Sequence, residues 1–141
     1  MTNETLLRGF MTEAARSAKG AYQTVLGAVL LIEAAVGIAL LAAPLGVSRL
    51  LGLADDTGTV WPRFAGLLLL LLVIHMLTAR AMPAAAKLLS LAGFVGRTVL
   101  GLFLISLWGR FAIAGVLWLA AVIVLATYYF RYFQAEVMNR P

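Results

Sequence analysis

Four long apolar stretches, at about residues 21–43, 61–79, 84–108 and 111–130, dominate this 141-residue chain. Each has the roughly 17 to 25 residues that a bilayer-spanning helix requires. Formed as helices, such segments satisfy their own backbone hydrogen bonds where no water can do so. The composition agrees, since 63% of the residues are hydrophobic and only 12% are charged, well outside the soluble norm. The expected fold is therefore all-α: a polytopic membrane protein with a four-transmembrane-helix bundle, forming one domain over residues 1–141.

The connections follow from local chemistry. Leu6, Phe10, Ala14 and Ala18 recur at helical spacing, with Glu4, Arg8, Glu13, Arg16 and Lys19 largely on other faces. This pattern predicts a short interfacial helix over residues 1–19, lying on the bilayer. Pro44 ends the first span, because its ring fixes φ and removes a backbone donor. In the loop that follows, Val47, Leu50, Leu51 and Leu53 surround Arg49, as expected of a short amphipathic turn along the membrane face. Asp55, Asp56 and Gly58 supply turn chemistry, and Thr59 is the expected N-cap of the second span. Six consecutive leucines, Leu67 to Leu72, make that span apolar on every side. Pro83 marks a tight hairpin, and only Gly109 and Arg110 separate the last two apolar runs, which forces them to be antiparallel neighbours.

Charge distribution orients the bundle. Arg8, Arg16, Lys19, Arg80, Lys87, Arg131 and Arg140 fall on the side of both termini, against Arg49, Arg63 and Arg110 on the other. The positive-inside rule places both termini in the cytoplasm. Trp61, Trp108 and Phe111 on the far side, and Tyr22, Tyr128, Tyr129 and Tyr132 on the near side, are expected to form aromatic belts at the two headgroup levels. The formal charge of +5 comes from scattered residues, so nucleic acid is not an expected partner. The lipid bilayer is, together with further copies of the chain or a larger membrane complex.

Two residues do not belong in hydrocarbon. Glu33 lies twelve residues past Ala21 and ten before Ala43, while Arg97 lies thirteen past Ala84 and eleven before Trp108. Both sit close to the midplane, in spans that run in the same direction. An unpaired charge at a helix centre costs about 2.5 to 3.5 kcal/mol on insertion scales, so the two are expected to pair. Gly93 and Gly101 flank Arg97 on one helical stripe, with Ala92 and Gly96 beside them; Gly27, Ala28, Ala34 and Gly37 lie around Glu33. Small residues at such spacing let helices approach closely. Three readings stand: the pair fixes helix register, it forms part of a site for an ion, a proton or a polar ligand, or the charges are satisfied between subunits or separately by backbone and water.

Other candidates are single residues. His75, about 5 Å from the midplane of the second span, could extend a proton path from Glu33 or contact a quinone-like headgroup, or simply hydrogen-bond a neighbouring helix. Arg63 is expected to snorkel at the far interface, within reach of Asp55 or Asp56. Trp118, deeper than the belts, is expected to pack between helices or line a cavity. The chain has no cysteine and one histidine, which removes disulfides, thiolate metal sites, iron–sulfur clusters and bis-histidine haem. No cofactor-binding or catalytic motif is visible, and no sequence repeat relates the first two spans to the last two.

Gly37, Pro44, the run Leu50-Leu51-Gly52-Leu53, Arg63-Phe64-Ala65-Gly66, Pro83 and Gly96-Arg97 occur in an order similar to that of small bacterial four-helix membrane proteins of the broad DoxX-like type. The likeness spans residues 30–115 or so and implies a bacterial inner-membrane location. It carries no functional residue, because that group has no settled activity. The glutamate of the first span also resembles that of small multidrug transporters, but Arg97 and the long loop after Pro44 depart from their pattern. Three functions follow as expectations: an accessory or scaffolding protein, a carrier or channel coupled to protons or cations through Glu33, and a lipid- or quinone-binding protein.

Overall fold

A computed structural model describes residues 13–52, 58–83 and 85–138. Its described residues form five helices: α1 (Glu13–Ala42), α2 (Pro44–Leu50), α3 (Val60–Ala81), α4 (Lys87–Ser106) and α5 (Gly109–Met138). All but α2 are long and apolar enough to cross a membrane. The chain is an integral membrane protein with an all-helical architecture. α1 packs against α3 and α5, and α4 packs against the same two helices, so α1 and α4 face each other across the diagonal of the bundle.

The helices outrun the apolar stretches at one end. α1 and α5 each have 30 residues, about 45 Å of helix against a hydrocarbon core of about 30 Å. Hydropathy marks where lipid stops, whereas a helix continues until its hydrogen bonding is broken. No proline lies between Glu13 and Ala21 or between Phe130 and Met138, and the helix runs through Gly20. Residues 13–19, expected as part of a separate interfacial helix, are thus the first turns of α1; residues 1–12 lie outside the described set.

These extensions build the tightest part of the core. Tyr22, Tyr129 and Tyr132 are buried, which corrects their expected place in a lipid-facing belt. Tyr22 stacks on Tyr132 at 6.0 Å and meets Tyr129 edge-on at 5.4 Å, while Phe94 brings α4 against Tyr129 at 5.2 Å. Burying several rings against one another yields more than leaving each at the headgroups. At the same end Lys87 Nζ lies 3.2 Å from Glu136 Oε1 and sits over the Phe133 ring. Gln23 Nε2 donates to the Arg80 carbonyl at 2.8 Å, and Arg80 Nε returns a bond to the Gln23 carbonyl at 3.1 Å. Of the expected near-side belt only Tyr128 remains partly exposed, with Arg131 over its ring.

The far end is held differently. Pro44 occupies the first turn of α2, where its missing donor costs nothing. Arg110 Nη1 donates to the Leu50 carbonyl at 2.9 Å, tying α2 to the start of α5. Thr59 stands at the N-cap of α3 but makes no side-chain capping bond. Between α4 and α5 the chain turns through Trp108 and Gly109, both with positive φ (60° and 61°). That left-handed conformation is uncommon for a bulky residue. The Trp108 ring is exposed, like that of Trp61, whereas Phe111, expected beside them, is partly buried.

Substitutions separate core rings from belt rings. Tyr22→Ala should cost about 3–5 kcal/mol, the range for deleting a buried aromatic ring, whereas Trp61→Ala and Trp108→Ala should change thermal unfolding in detergent little. Unfolding curves of the purified variants in one mild detergent would decide the matter.

Candidate functional site

Glu33 on α1 and Arg97 on α4 meet inside the bundle. Arg97 Nε donates to Glu33 Oε1 at 2.6 Å and Nη2 donates to Oε2 at 2.7 Å. The guanidinium fork matches the carboxylate edge, the geometry in which this pair of groups bonds most strongly. Glu33 is 1% and Arg97 2% exposed, so neither charge reaches lipid or solvent. With water excluded, each is the other's principal compensation.

The geometry explains the residue types. α1 and α4 are not packed neighbours, and the contact spans the diagonal between them. Only long side chains reach that far: an aspartate falls one methylene short, and a lysine reaches but offers no fork. Gly27, Gly37, Gly93 and Gly101 do lie at helix contacts as expected, and the helices they meet are α3 and α5. Gly37 lies against Leu70 and Gly66 of α3, and Gly101 lies against Leu119 and Gly115 of α5. A Cβ on Gly93 would stand 2.7 Å from Met76 Sδ and 2.9 Å from Arg97 Nη1, so this glycine makes room for the guanidinium itself. Ala92 and Gly96 are on the exposed side and contribute no helix contact.

His75 does not join the site. It lies on the exposed face of α3, and its Nδ1–H donates to the Leu71 carbonyl of its own helix at 2.7 Å. Among the described residues it makes no bond to a neighbouring helix, and its outward position sets it apart from the buried Glu33. Met76, the next residue, takes the inward position instead. Arg63 is exposed in the first turn of α3, as an interfacial anchor requires; Asp55 and Asp56 lie outside the described residues. Trp118 is partly buried, and its Nε1 is buried without a hydrogen-bond partner among the described residues.

Sequence reasoning missed the polar contact above the pair, where Tyr22 Oη lies 3.4 Å from Ser90 Oγ between α1 and α4. The available signal was spacing: Ser90 precedes Gly93 and Arg97 at helical intervals on one stripe. It also missed the Gln23–Arg80 clasp, because Arg80 counts equally well as an ordinary interfacial cation. Gly27 was the clue there, since a Cβ on it would come within 2.9 Å of the Arg80 guanidinium.

Breaking the pair from one side strands the other charge. Glu33→Ala and Arg97→Ala should each cost about 3–5 kcal/mol, and the double variant should cost clearly less than the sum. Glu33→Asp and Arg97→Lys, which conserve charge but not reach or fork, should also destabilise, while His75→Ala should stay within about 0.5 kcal/mol of the parent. Chemical or thermal unfolding in detergent measures all of these. Comparison of the chain with protein-family models, curated proteins and solved structures gives no match.

Proposed function

We propose that this protein is an accessory or scaffolding component of a bacterial inner membrane, whose outer helix faces pack against further copies or a larger membrane complex. The supporting observation is the bidentate contact of Glu33 and Arg97: both carboxylate oxygens accept bonds from one guanidinium, and the pair is buried. A group already satisfied in this way is suited to holding helices in register. Binding a solute would first require breaking the contact. With His75 turned outward, no second titratable side chain stands beside it on α3.

The outside is chemically simple. Leu31 and Ile32 on α1, Leu88 and Val95 on α4, and Leu117 and Ile123 on α5 are among many large apolar side chains that face outward. Such faces suit lipid and equally suit other membrane helices, because association within a bilayer is driven by packing. Arg16, Lys19, Arg80, Lys87 and Arg131 cluster at the Tyr22 end of the bundle, which we therefore orient towards the cytoplasm.

A second reading is favoured by one feature. The Tyr22–Ser90 contact sets hydroxyl groups on the Tyr22 side of the ion pair, where a proton- or cation-coupled carrier using Glu33 would use them. Binding of a lipid or quinone stands third, with no residue set in its favour.

Light scattering and copurification in a mild detergent test the first reading: oligomers or a stoichiometric membrane partner are expected, and a strictly monomeric, partnerless protein overturns it. For the second, reconstituted liposomes should carry a proton or cation flux that disappears in a folded Glu33→Gln variant; equal fluxes from parent and variant reject a coupling role for this residue.

A further inference from the structure

The two long-helix hairpins are built on the same plan. Shifting α1 by 64 residues carries Glu33 onto Arg97, Gly37 onto Gly101 and Leu41 onto Ile105. A shift of 49 residues carries Gly66, Leu70, Val73 and Met76 of α3 onto Gly115, Leu119, Val122 and Leu125 of α5. In both hairpins the residues so matched do the same job. A Cβ on Gly66 would stand 2.7 Å from the Gly37 carbonyl, and one on Gly115 2.6 Å from the Gly101 carbonyl. Leu41 closes over the first of these glycines and Ile105 over the second. Gly37 receives Leu70, and Gly101 receives Leu119. The buried stripe Gly66, Val73, Met76 matches the buried stripe Gly115, Val122, Leu125.

The two shifts differ because the first hairpin carries α2 and its loop between its long helices. No single offset aligns both halves, and the matched positions are mostly Gly and Leu, so a search for a repeat in the sequence finds none. The tertiary contacts supply the register that the sequence hides. α1 and α4 run in the same direction, as do α3 and α5, so the relation is a rotation about an axis along the membrane normal.

We infer that the chain is a duplicated helical hairpin, a dimer fused into one polypeptide, and that Glu33 and Arg97 are one position of the repeat differentiated into opposite charges. Equivalent positions facing each other across a two-fold axis meet at that axis, as this pair does on the α1–α4 diagonal. The inner face of each hairpin is then an interaction surface whose partner is a hairpin of the same build and opposite charge. Two copies of the first hairpin would set carboxylate against carboxylate, and two of the second guanidinium against guanidinium. Such repulsion selects the mixed pair. This inference is independent of the function proposed above.

Equivalence makes a demanding prediction. In the full-length protein, the exchange Glu33→Arg with Arg97→Glu should yield folded, monodisperse protein with a melting temperature well above that of either single reversal, below the parent's only because Val29, at the position equivalent to Gly93, leaves a guanidinium less room. Each single reversal should lose at least about a hundredfold in folded-to-unfolded ratio, as for a stranded buried charge. An exchanged protein that fails as badly as the single reversals means that the two environments are not equivalent, and overturns the inference. A second series avoids the charges. Gly66→Ala and Gly115→Ala should lower the melting temperature most and by similar amounts, because each Cβ meets backbone. Gly37→Ala and Gly101→Ala should form a milder matched pair, since each Cβ meets a leucine side chain first and the facing carbonyl only at 3.1 and 3.5 Å, while Gly96→Ala, in open space, should be silent. Matched pairs that differ as much as unmatched ones reject the duplication.

Discussion

The bidentate contact between Glu33 and Arg97 is the constraint around which the bundle is arranged. Removed from water and from lipid, either charge alone would be a heavy penalty in so small a protein, and the two are neutralised only when α1 and α4 stand at one relative height and rotation. Apolar helix packing has many near-equivalent registers, since one leucine fits a groove about as well as the next. A fork that accepts a single geometry selects among them. Because α1 belongs to one hairpin and α4 to the other, fixing this diagonal fixes how the halves meet.

Around that centre the two ends are secured by different means. Towards Tyr22 the helices extend beyond the bilayer and can use groups that tolerate water: stacked tyrosines, the Lys87–Glu136 pair and the reciprocal Gln23–Arg80 bonds. Towards Trp108 the hairpins rely on backbone proximity at Gly37–Gly66 and Gly101–Gly115, with Arg110 holding α2 in place. Glycine suits that end because in lipid the gain comes from close packing rather than from expelling water. Inside the bundle, the Tyr22–Ser90 contact lies on the Tyr22 side of the Glu33–Arg97 pair.

Much of this is legible in the amino-acid sequence. The four spans, their antiparallel order and the matched depth of Glu33 and Arg97 all follow from hydropathy and counting. What escaped was direction around each helix. Tyr22, Tyr129 and Tyr132 stand at headgroup level, and depth alone suggested a belt; their rings turn inward because α1 and α5 run on past the apolar stretch and pack there. His75 lies near the depth of the pair, yet it occupies the exposed face of α3 while Met76 takes the interior. Gly93 and Gly101 were recognisable as contact residues, but the sequence could not say which helix each one meets.

The sequence by itself determined the solvent, the secondary structure and the presence of two opposite charges to be reconciled, because these depend on composition and local periodicity. Tertiary structure decided which helices touch, that the charged pair crosses a diagonal, and that the two hairpins are alike. The reason is physical: helix rotation and helix neighbours are set by side chains distant in the chain, and a repeat carried by glycine contacts becomes visible only when the backbones that meet there are seen together.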